Sequence, residues 1–573
     1  MDVNKKDVIR LLEKIAIYLE LKGENPFRIN AYSRAAQSLE RDVRSLNEID
    51  DFTTVSGIGK GTNELILQFI QDGSSEVLTN LEKEIPQGLI PLLQLPGLGG
   101  KRLALIYKEL GIVDADTLKE ACINGKLESV KGFGKKTVEN ILKGLENIGK
   151  RPDRIPIAYM LEISHDIEAY LETIPEIIKY NVAGSLRRLE ETVKDIDFII
   201  ATEQPTKVRE SILKMGNIKE IIANGDTKVS IIIPYEFEIQ IDFRMVRENE
   251  YFTTLHHFTG SKEHNVRMRQ LAKQRGEKIN EYGVEIESTK ETIHFASEEN
   301  FFNHFDLHYI PPEMRQGINE TEKFKDQVDL LSFHDIRGDL HMHTTWSDGA
   351  QSVEEMILKA REIGYKYIAI TDHSKFLRVA NGLNETRLRK QREEIKRLNE
   401  KYSDIHVFSG VEMDILPNGK LDFSNDFLKE MDIVIAAIHS SFSQTEDEIM
   451  KRLYYALENP FVDIIAHPTG RIIGRRNGYR VQMEKLIEKA KETNTALELN
   501  ANPHRFDLAP KWLKMAEENG VTIAINTDAH QTKTFNHMEY GVKIARKAWL
   551  KKQTVLNTWD LEQLKEFLAD RKV

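Results

Sequence analysis

The sequence predicts a multidomain protein of mixed class: helical N-terminal domains, a central α+β unit with a mixed sheet, a small α/β piece and a C-terminal α/β barrel of seven repeats. Three observations support this. The chain has 573 residues, which at roughly 100–200 residues per domain gives about three to five domains. Three short glycine repeats separate helical patterns near the N-terminus. Seven apolar runs alternate with amphipathic helices after residue 335.

Composition narrows the class of protein. Hydrophobic content of 40% and charged content of 30% are ordinary for a globular chain. Cys122 is the single cysteine, which excludes intramolecular disulfides and argues against zinc–thiolate sites. No apolar run approaches the ~18 residues of a membrane span, and the N-terminus has no secretory apolar region. We therefore expect a cytoplasmic protein without membrane contact. The net charge of −11 decides little, because charge can be segregated between domains.

The three glycine repeats are "VSGIGKGT" (55–62), "LPGLGGKR" (95–102) and "VKGFGKKT" (130–137). Each glycine pair allows a tight turn, and the helix that follows begins with free N–H groups that suit a phosphate. One such repeat is usually a plain turn, but three resemble helix-hairpin-helix motifs, which hold DNA by its backbone. The predicted DNA-binding residues are Gly57, Gly59, Lys60, Gly97, Gly99, Lys101, Gly132, Gly134 and Lys135.

Carboxylates are concentrated on two predicted strands of the central unit. Asp195 and Asp197 lie two residues apart in a predicted strand, Val193–Ala201, so they project from one face. Asp242 lies in a second predicted strand, Glu238–Val246. Adjacent buried acids repel one another and lose hydration, and a divalent cation removes both costs. A lone Asp-x-Asp is more often a solvated edge strand, but a third acid favours a two-metal site.

With "GSLRR", "DIDF", "IDFR" and "HHFTGSKEHN" in this order, residues 1–316 resemble the family X DNA polymerases, of which DNA polymerase beta is the best known. The resemblance implies Mg²⁺ or Mn²⁺ on three catalytic carboxylates, with Asp242 nearest the primer 3′-OH, and gapped or nicked DNA and dNTPs as substrates. It also implies that Arg244 pairs with Asp197 in an inactive state. The implied catalytic and metal-binding residues are Asp195, Asp197 and Asp242; the implied nucleotide-binding residues are Gly184, Ser185, Arg188, Phe258, Thr259, Gly260 and Asn265.

One departure from the family concerns the lyase reaction of the beta enzyme. The lysine that forms its Schiff base corresponds to Leu65 here. A Schiff base requires an amine. The ordinary deoxyribose-phosphate lyase activity is therefore not expected.

Histidines and acids recur at the ends of the seven apolar runs. Five of these runs end in histidine, and in barrels the carboxyl ends of the strands form the catalytic rim. One histidine there is usually a turn residue, but five favour a metal centre. Imidazole with carboxylate suits Zn²⁺, Mn²⁺ or Fe²⁺. The predicted metal ligands are His341, His343, Asp348, His373, Glu412, His439, His467, Asp528 and His530.

These motifs resemble the PHP (polymerase and histidinol phosphatase) domain over residues 335–573. The resemblance implies a (β/α)₇ barrel with up to three Mn²⁺ or Zn²⁺ ions. Its ligand groups would be His341, His343, Glu412 and Asp528 for the first ion, Glu412, His439 and His467 for the second, and Asp348, His373 and His530 for the third. Arg471 lies four residues after His467. Two predictions for it stay open, a contact with a substrate phosphate and an ordinary surface position.

The predicted domains are 1–80 and 81–151 (helix-hairpin-helix), 152–250 (nucleotidyltransferase palm), 251–316 (thumb-like, nucleotide-contacting), 317–334 (charged linker) and 335–573 (hydrolase barrel).

The function that these features predict is DNA-directed DNA synthesis filling short gaps in base-excision-type repair. The barrel would add metal-dependent 3′→5′ exonuclease, 3′-end processing or incision at abasic sites, which the sequence does not rank. Two alternatives stay open: a phosphoesterase of small phosphate esters with a regulatory N-terminal part, and a non-catalytic scaffold for DNA ends. The sequence identifies no protein partner.

Overall fold

The N-terminal region is helical and has one shared hydrophobic core. The computed structural model describes residues 3, 5–41, 46, 49–55, 57–95, 98–145, 154–235 and 238–570. Apolar residues from Val8 to Leu145 pack into a single cluster, and the first helix contacts helices on both sides of the predicted 80/81 boundary. The helices are α1 (Lys5–Lys22), α2 (Pro26–Arg41), α3 (Lys60–Asp72), α4 (Glu76–Glu84), α5 (Gly100–Leu110), α6 (Ala115–Ile123) and α7 (Lys135–Leu145).

Each glycine repeat leads into a helix whose first or second residue is an exposed lysine, and the first and third repeats contain a turn at a glycine of positive φ. Gly57 and Gly132 have φ of 90° and 98°, a conformation that favours glycine. Gly59 and Gly99 are the N-cap residues of α3 and α5. The second glycine of the third repeat, Gly134, directly precedes α7. Lys60, Lys101 and Lys135 are exposed in the first turns of α3, α5 and α7. Gly97 lies outside the described residues.

The palm is a five-stranded mixed sheet covered by helices. The strand order is β2-β4-β7-β6-β5, with β4 and β7 parallel and the other neighbours antiparallel. Its elements are β1 (Ile155–Pro156), α8 (Ile157–Leu171), β2 (Lys179–Val182), α9 (Gly184–Arg187), β3 (Thr192–Val193), β4 (Ile196–Ala201), α10 (Pro205–Ile212), β5 (Glu220–Asn224), β6 (Lys228–Pro234) and β7 (Glu238–Val246).

The following unit has three helices and a small antiparallel sheet of three strands. Its elements are α11 (Tyr251–Thr259), α12 (Lys262–Gln274), β8 (Glu277–Ile279), β9 (Val284–Ile286), β10 (Thr292–Ile293) and α13 (Glu298–His304).

The segment predicted as a charged linker is ordered and contacts both neighbouring units. It contains α14 (Glu320–Lys323). The buried Glu320 carboxylate lies 2.8 Å from His264 Nδ1. Phe324 is buried in the core of the thumb-like unit, where its ring contacts Trp549 of the barrel. The segment therefore fixes the thumb-like unit against the barrel.

A buried ion-pair triad fastens this thumb-like unit to the palm. Glu298 lies 2.6 Å from Arg187 Nη2 and 2.7 Å from Arg315 Nη1. Arg315 is fully buried. Burial alone raises the pKa of Glu298, but Arg315 and Arg187 outweigh it and lower the pKa to about 2.

Glu298→Gln is expected to destabilise the folded state by ~3–5 kcal/mol, because it leaves two buried guanidinium groups uncompensated. The native pKa is lowered, so the stabilisation is present above the unfolded value of 4.5 and is lost as the pH falls towards 2. Urea unfolding at neutral and acidic pH measures both effects. Glu299→Gln, at the exposed neighbouring position, is the control. Equal unfolding midpoints for the two variants at neutral pH would contradict the assignment.

The C-terminal unit is a parallel barrel whose strands follow chain order from β11 to β17. A parallel bridge between Met342 and Ala529 joins its first and last segments. Its elements are β11 (Gly338–Asp339), α15 (Val353–Ile363), β12 (Tyr367–Ile370), α16 (Glu385–Lys401), β13 (His406–Asp414), α17 (Asn425–Leu428), β14 (Ile433–Ala437), α18 (Glu446–Leu457), β15 (Ile464–Ile465), α19 (Met483–Glu492), β16 (Ala496–Asn500), α20 (Pro510–Asn519), β17 (Ile523–Asn526), α21 (His537–Lys547) and α22 (Leu561–Asp570).

Palm and barrel pack directly against each other and share one apolar cluster. Arg471 of the barrel makes a bidentate ion pair with Glu191 of the palm, with N–O distances of 2.7 and 3.1 Å. Its guanidinium is thus committed to the domain interface rather than lying open at the surface. No helix in the described ranges is long and apolar enough to cross a membrane.

Candidate functional site

The three palm carboxylates meet at the middle of the sheet. Asp197 on β4 and Asp242 on β7 are register partners on adjacent parallel strands. Asp195 lies between β3 and β4, one residue before β4 begins, and its charge acts on Asp197. Burial and the charges of Asp195 and Asp242 raise the pKa of Asp197 to about 7. The cluster therefore has an excess of negative charge that a cation would relieve.

Asp242 differs from Asp197 in its hydrogen bonds. Its carboxylate lies 2.7 Å from Lys228 Nζ and accepts a 3.0 Å bond from Gln240 Nε2. Burial raises its pKa, but Lys228, Gln240 and Ser230 outweigh that effect and lower it. The pKa of Asp242 is therefore lowered whereas that of Asp197 is raised. No sequence motif indicated Lys228, whose role depends on the pairing of β6 with β7.

Gly184 brings the backbone against the acid cluster. Its φ is +63°, and a Cβ at this position would lie 2.6 Å from Asp197 Oδ2. Ser185 follows in α9. Gly184 and the Asp197 carboxylate are therefore close neighbours, an arrangement that suits a metal-bound triphosphate.

Gly184→Ala is expected to lower primer extension by about 10²-fold, since displacing reacting groups by about 1 Å costs that much. The new methyl group would clash with Asp197, and an alanine at this position would have an unfavourable positive φ. Single-turnover dNTP incorporation measures the effect. Gly216→Ala is the control, since its Cβ would meet nothing within 4 Å. Unchanged incorporation by Gly184→Ala would contradict the proposed contact.

Three of the predicted nucleotide-binding residues, Arg188, Thr259 and Gly260, lie against one another. The guanidinium of Arg188 donates to the carbonyl of Thr259, and Gly260 lies beside it, with a Cβ there 3.2 Å from Arg188 Nη1. The Phe258 ring is covered by Arg244 at 4.3 Å. Arg244 therefore stacks on Phe258 in this conformation, and its 3.7 Å ion pair is with Glu281.

Asn265 and Leu65 are also placed by their contacts. Asn265 Nδ2 donates to the carbonyl of His257 at 2.8 Å, and its Oδ1 is buried without a hydrogen bond among the described residues. The amide group has a second hydrogen that a ligand can accept. Leu65 is buried in the N-terminal core.

The nine predicted ligands of the barrel converge on its carboxyl-end rim. His373, His439 and His467 follow β12, β14 and β15, and Glu412 lies within β13. All nine are buried except His439 and His530, which are partly exposed. Three groups have ligand atoms within 4.8 Å of one another: His343, Asp348, His373 and His530; His341, His343 and Asp528; His373, Glu412 and His439.

These groups differ in detail from the predicted ligand sets. His343 joins the predicted third set, and His373 replaces His467 in the predicted second set. His467 Nε2 nevertheless lies 2.9 Å from Glu412 Oε1. A neutral imidazole has one lone pair, so His343 and His373, which each lie in two groups, can serve only one ion each.

Glu412 is at the centre of the cluster. Its Oε1 lies 3.1 Å from His439 Nε2. Its Oε2 is buried and lies 2.8 Å from His373 Nδ1, 3.4 Å from His341 Nε2 and 3.5 Å from His343 Nε2. A carboxylate whose two oxygens face several imidazole nitrogens fits a bridging position between cations.

Family models match four parts of the chain. A helix-hairpin-helix domain covers residues 3–75 and a SAM-like helix-hairpin-helix tandem covers 89–147. The DNA polymerase beta thumb covers 254–316, and the PHP domain covers 339–502. The chain is also 55% identical over 566 residues to the DNA polymerase/3′-5′ exonuclease PolX of Bacillus subtilis. The matched region spans 99% of both chains.

The chain belongs to the PHP-containing family X DNA polymerases. Shorter relatives of this family X polymerase match its barrel. A probable phosphatase of Thermoanaerobacter sp. is 32% identical over 249 residues, 41% of this chain and 95% of its own. A probable phosphatase of Clostridium acetobutylicum is 28% identical over 40% of this chain and 93% of its own.

Two alternatives left open by the sequence lose support at this point. A free-standing phosphoesterase accounts for the barrel alone, whereas the Bacillus relative aligns from end to end. A scaffold without catalysis has no need of two converged acid and imidazole clusters. Polymerase and PHP domains both depend on metal ions in general, and the barrel of this family X polymerase brings together groups of His, Asp and Glu side chains, which are types that ligate metal ions.

Proposed function

We propose that this chain fills short gaps in DNA from dNTPs and trims DNA 3′ ends in the same molecule, as a repair polymerase of the base-excision type. The observation that carries the proposal is that two separate groups of side chains come together, three carboxylates on a palm sheet and the nine residues predicted as ligands at a barrel mouth. The relative from Bacillus subtilis is named for both activities, which supports the pairing.

In the palm, Asp195, Asp197 and Asp242 would hold Mg²⁺ or Mn²⁺, which would bind the triphosphate and lower the charge on the reacting phosphate. Asp242 is proposed to lie nearest the primer 3′-OH, where its carboxylate would accept the hydroxyl proton. Gly184, Ser185 and Arg188 would bind the triphosphate oxygens.

Substrate selection is assigned to the C-terminal end of α11. Phe258, Thr259 and the C-cap residue Gly260 would border the sugar, since this helix end is joined to Arg188 through the Thr259 carbonyl. Asn265 would donate its second amide hydrogen to the minor-groove edge of the base. The three exposed turns at Lys60, Lys101 and Lys135 would hold the DNA backbone.

In the barrel, the nine ligands would hold up to three Mn²⁺ or Zn²⁺ ions, which would activate water for attack on a phosphodiester or phosphomonoester. The substrate we propose is a DNA 3′ end. The likeness of the barrel to probable phosphatases supports 3′-phosphate removal as one of its reactions, beside 3′→5′ nucleotide removal and incision at abasic sites.

The proposal is tested with DNA that carries a one-nucleotide gap. With Mg²⁺ or Mn²⁺ and the complementary dNTP, the primer is expected to grow by one nucleotide. With Mn²⁺ and no dNTP, the same primer is expected to shorten from its 3′ end. Metal-loaded protein that does neither on gapped DNA would refute the assignment, and loss of one reaction alone would refute that half of it.

A further inference from the structure

Strand β16 supplies no ligand to the barrel cluster, yet it carries a buried carboxylate beneath it. Glu498 is 0% exposed. Its Oε1 accepts from His341 Nδ1 at 2.7 Å and from Asn526 Nδ2 at 3.0 Å. Its Oε2 accepts from the backbone N–H of His467 at 2.7 Å. One carboxylate thus touches two of the ligand-bearing segments.

The bond to His341 fixes which nitrogen is available to a metal. When Nδ1–H donates to Glu498, the proton of the neutral ring is on Nδ1, and Nε2 has a free lone pair. Nε2 is the atom that faces the cluster, 3.4 Å from Glu412 Oε2 and 3.6 Å from Asp528 Oδ1. The other tautomer would place a hydrogen towards the metal position.

We propose that Glu498 is a positioning residue for the metal centre of the barrel, acting through His341 and the backbone of His467. The inference rests on the proposed hydrolase site and deepens it. The buried carboxylate makes Nε2 of His341 a stronger electron-pair donor to a metal and fixes the orientation of the ring. Its bond to the His467 N–H keeps the carboxyl end of β15 in place. Partners of this kind change metal affinity by about 10–100-fold when they are removed.

Other ligands of the cluster are held differently. Asp414 Oδ1 lies 3.2 Å from Nδ1 of His439, which is partly exposed. Nδ1 of His343 and of His467 is buried without a hydrogen bond among the described residues. Asp414 therefore gives a matched comparison. Like Glu498, it contacts Nδ1 of one predicted histidine ligand, but it lacks the second bond, to a backbone N–H, that Glu498 makes with His467.

Glu498→Gln is the informative substitution because both oxygens of Glu498 accept from N–H groups. A glutamine must place its NH₂ against one of those donors in either orientation. If the NH₂ faces His341, the imidazole has to accept at Nδ1 and keeps its proton on Nε2, where it cannot ligate. If it faces the His467 N–H, that backbone group is left buried and unpaired.

The experiment is a double-mutant cycle on the full chain, read out as Mn²⁺ affinity in competition with a fluorescent chelator. Glu498→Gln is expected to weaken the tightest Mn²⁺ binding by about 10–100-fold. In a His341→Ala background the same change is expected to have a clearly smaller effect, because its main route is gone. Asp414→Asn is expected to lie between wild type and Glu498→Gln, and Glu458→Gln, an exposed carboxylate, to match wild type.

A Mn²⁺ affinity of Glu498→Gln within twofold of wild type would overturn the proposal. Equal losses of affinity in the presence and in the absence of His341 would also overturn it, because a purely structural role of Glu498 predicts that result. Primer extension on gapped DNA and near-ultraviolet circular dichroism report whether each variant is folded. If Glu498→Gln is not folded, Glu498→Asp replaces it in the cycle: it retains the charge but is one methylene too short for His341. Because the readout is metal affinity, the result stands even if the DNA substrate is wrong.

Discussion

Replacing Asp197 and Asp242 together with asparagine is expected to lower gap filling by about 10³-fold or more, because loss of even one preorganised electrostatic group costs about 10²–10³-fold. The two residues are register partners on β4 and β7, so both sides of the metal position are lost. Trimming of 3′ ends by the barrel is expected to persist. Steady-state primer extension and 3′-end removal on the same gapped DNA measure the two activities.

The control for this variant is Glu238→Gln. Glu238 lies on the same strand as Asp242, is exposed, and pairs with Lys219 at the surface. It is expected to retain extension at the wild-type level, because exposed ion pairs contribute at most about 1 kcal/mol. Retained extension by the double asparagine variant would show that the palm acids do not hold the catalytic metals.

Glu412→Gln is expected to lower 3′-end removal by about 10²–10³-fold or more, as expected when a preorganised charge at a reacting centre is lost. Glu412 has oxygens near His341, His343, His439 and His467, so the change weakens more than one metal position. Gap filling is expected to continue. Metal content by mass spectrometry and 3′-end removal from a radiolabelled primer are the measurements.

Glu458→Gln serves as its control, since that carboxylate is exposed on the outside of the barrel and pairs with Lys489 at 3.0 Å. It is expected to retain both metal content and 3′-end removal. If Glu412→Gln kept wild-type metal content and activity, a bridging role for Glu412 would be excluded.

The alternation of apolar and polar residues predicted a strand correctly where that strand pairs along its whole length. The predicted strand Glu238–Val246 is β7 with the same ends, because apolar and polar residues alternate along it. The predicted strand Val193–Ala201 is divided instead. Thr192 and Val193 pair with residues 155 and 156, and β4 begins only at Ile196. That pairing joins segments far apart in sequence, which periodicity does not report.

The charged segment after residue 316 shows the same limit. Its composition is typical of a linker, yet Glu320 and Phe324 are buried against His264 and Trp549. A charge is normally solvated, and only a partner from another part of the chain makes its burial favourable. The identity of that partner is a tertiary fact.

The sequence by itself determined the family of this protein and its candidate residues: glycine turns before helices, three palm acids and nine candidate barrel ligands. The barrel candidates were predictable because side chains at the carboxyl ends of parallel strands meet at one rim. Tertiary structure alone decided how those groups are used. It set the pKa of Asp197 to about 7 through burial and its two acidic neighbours, placed Glu498 beneath His341, and assigned Arg471 to the palm interface. Each of these depends on distances between residues remote in sequence, and electrostatic and hydrogen-bond energies are functions of those distances.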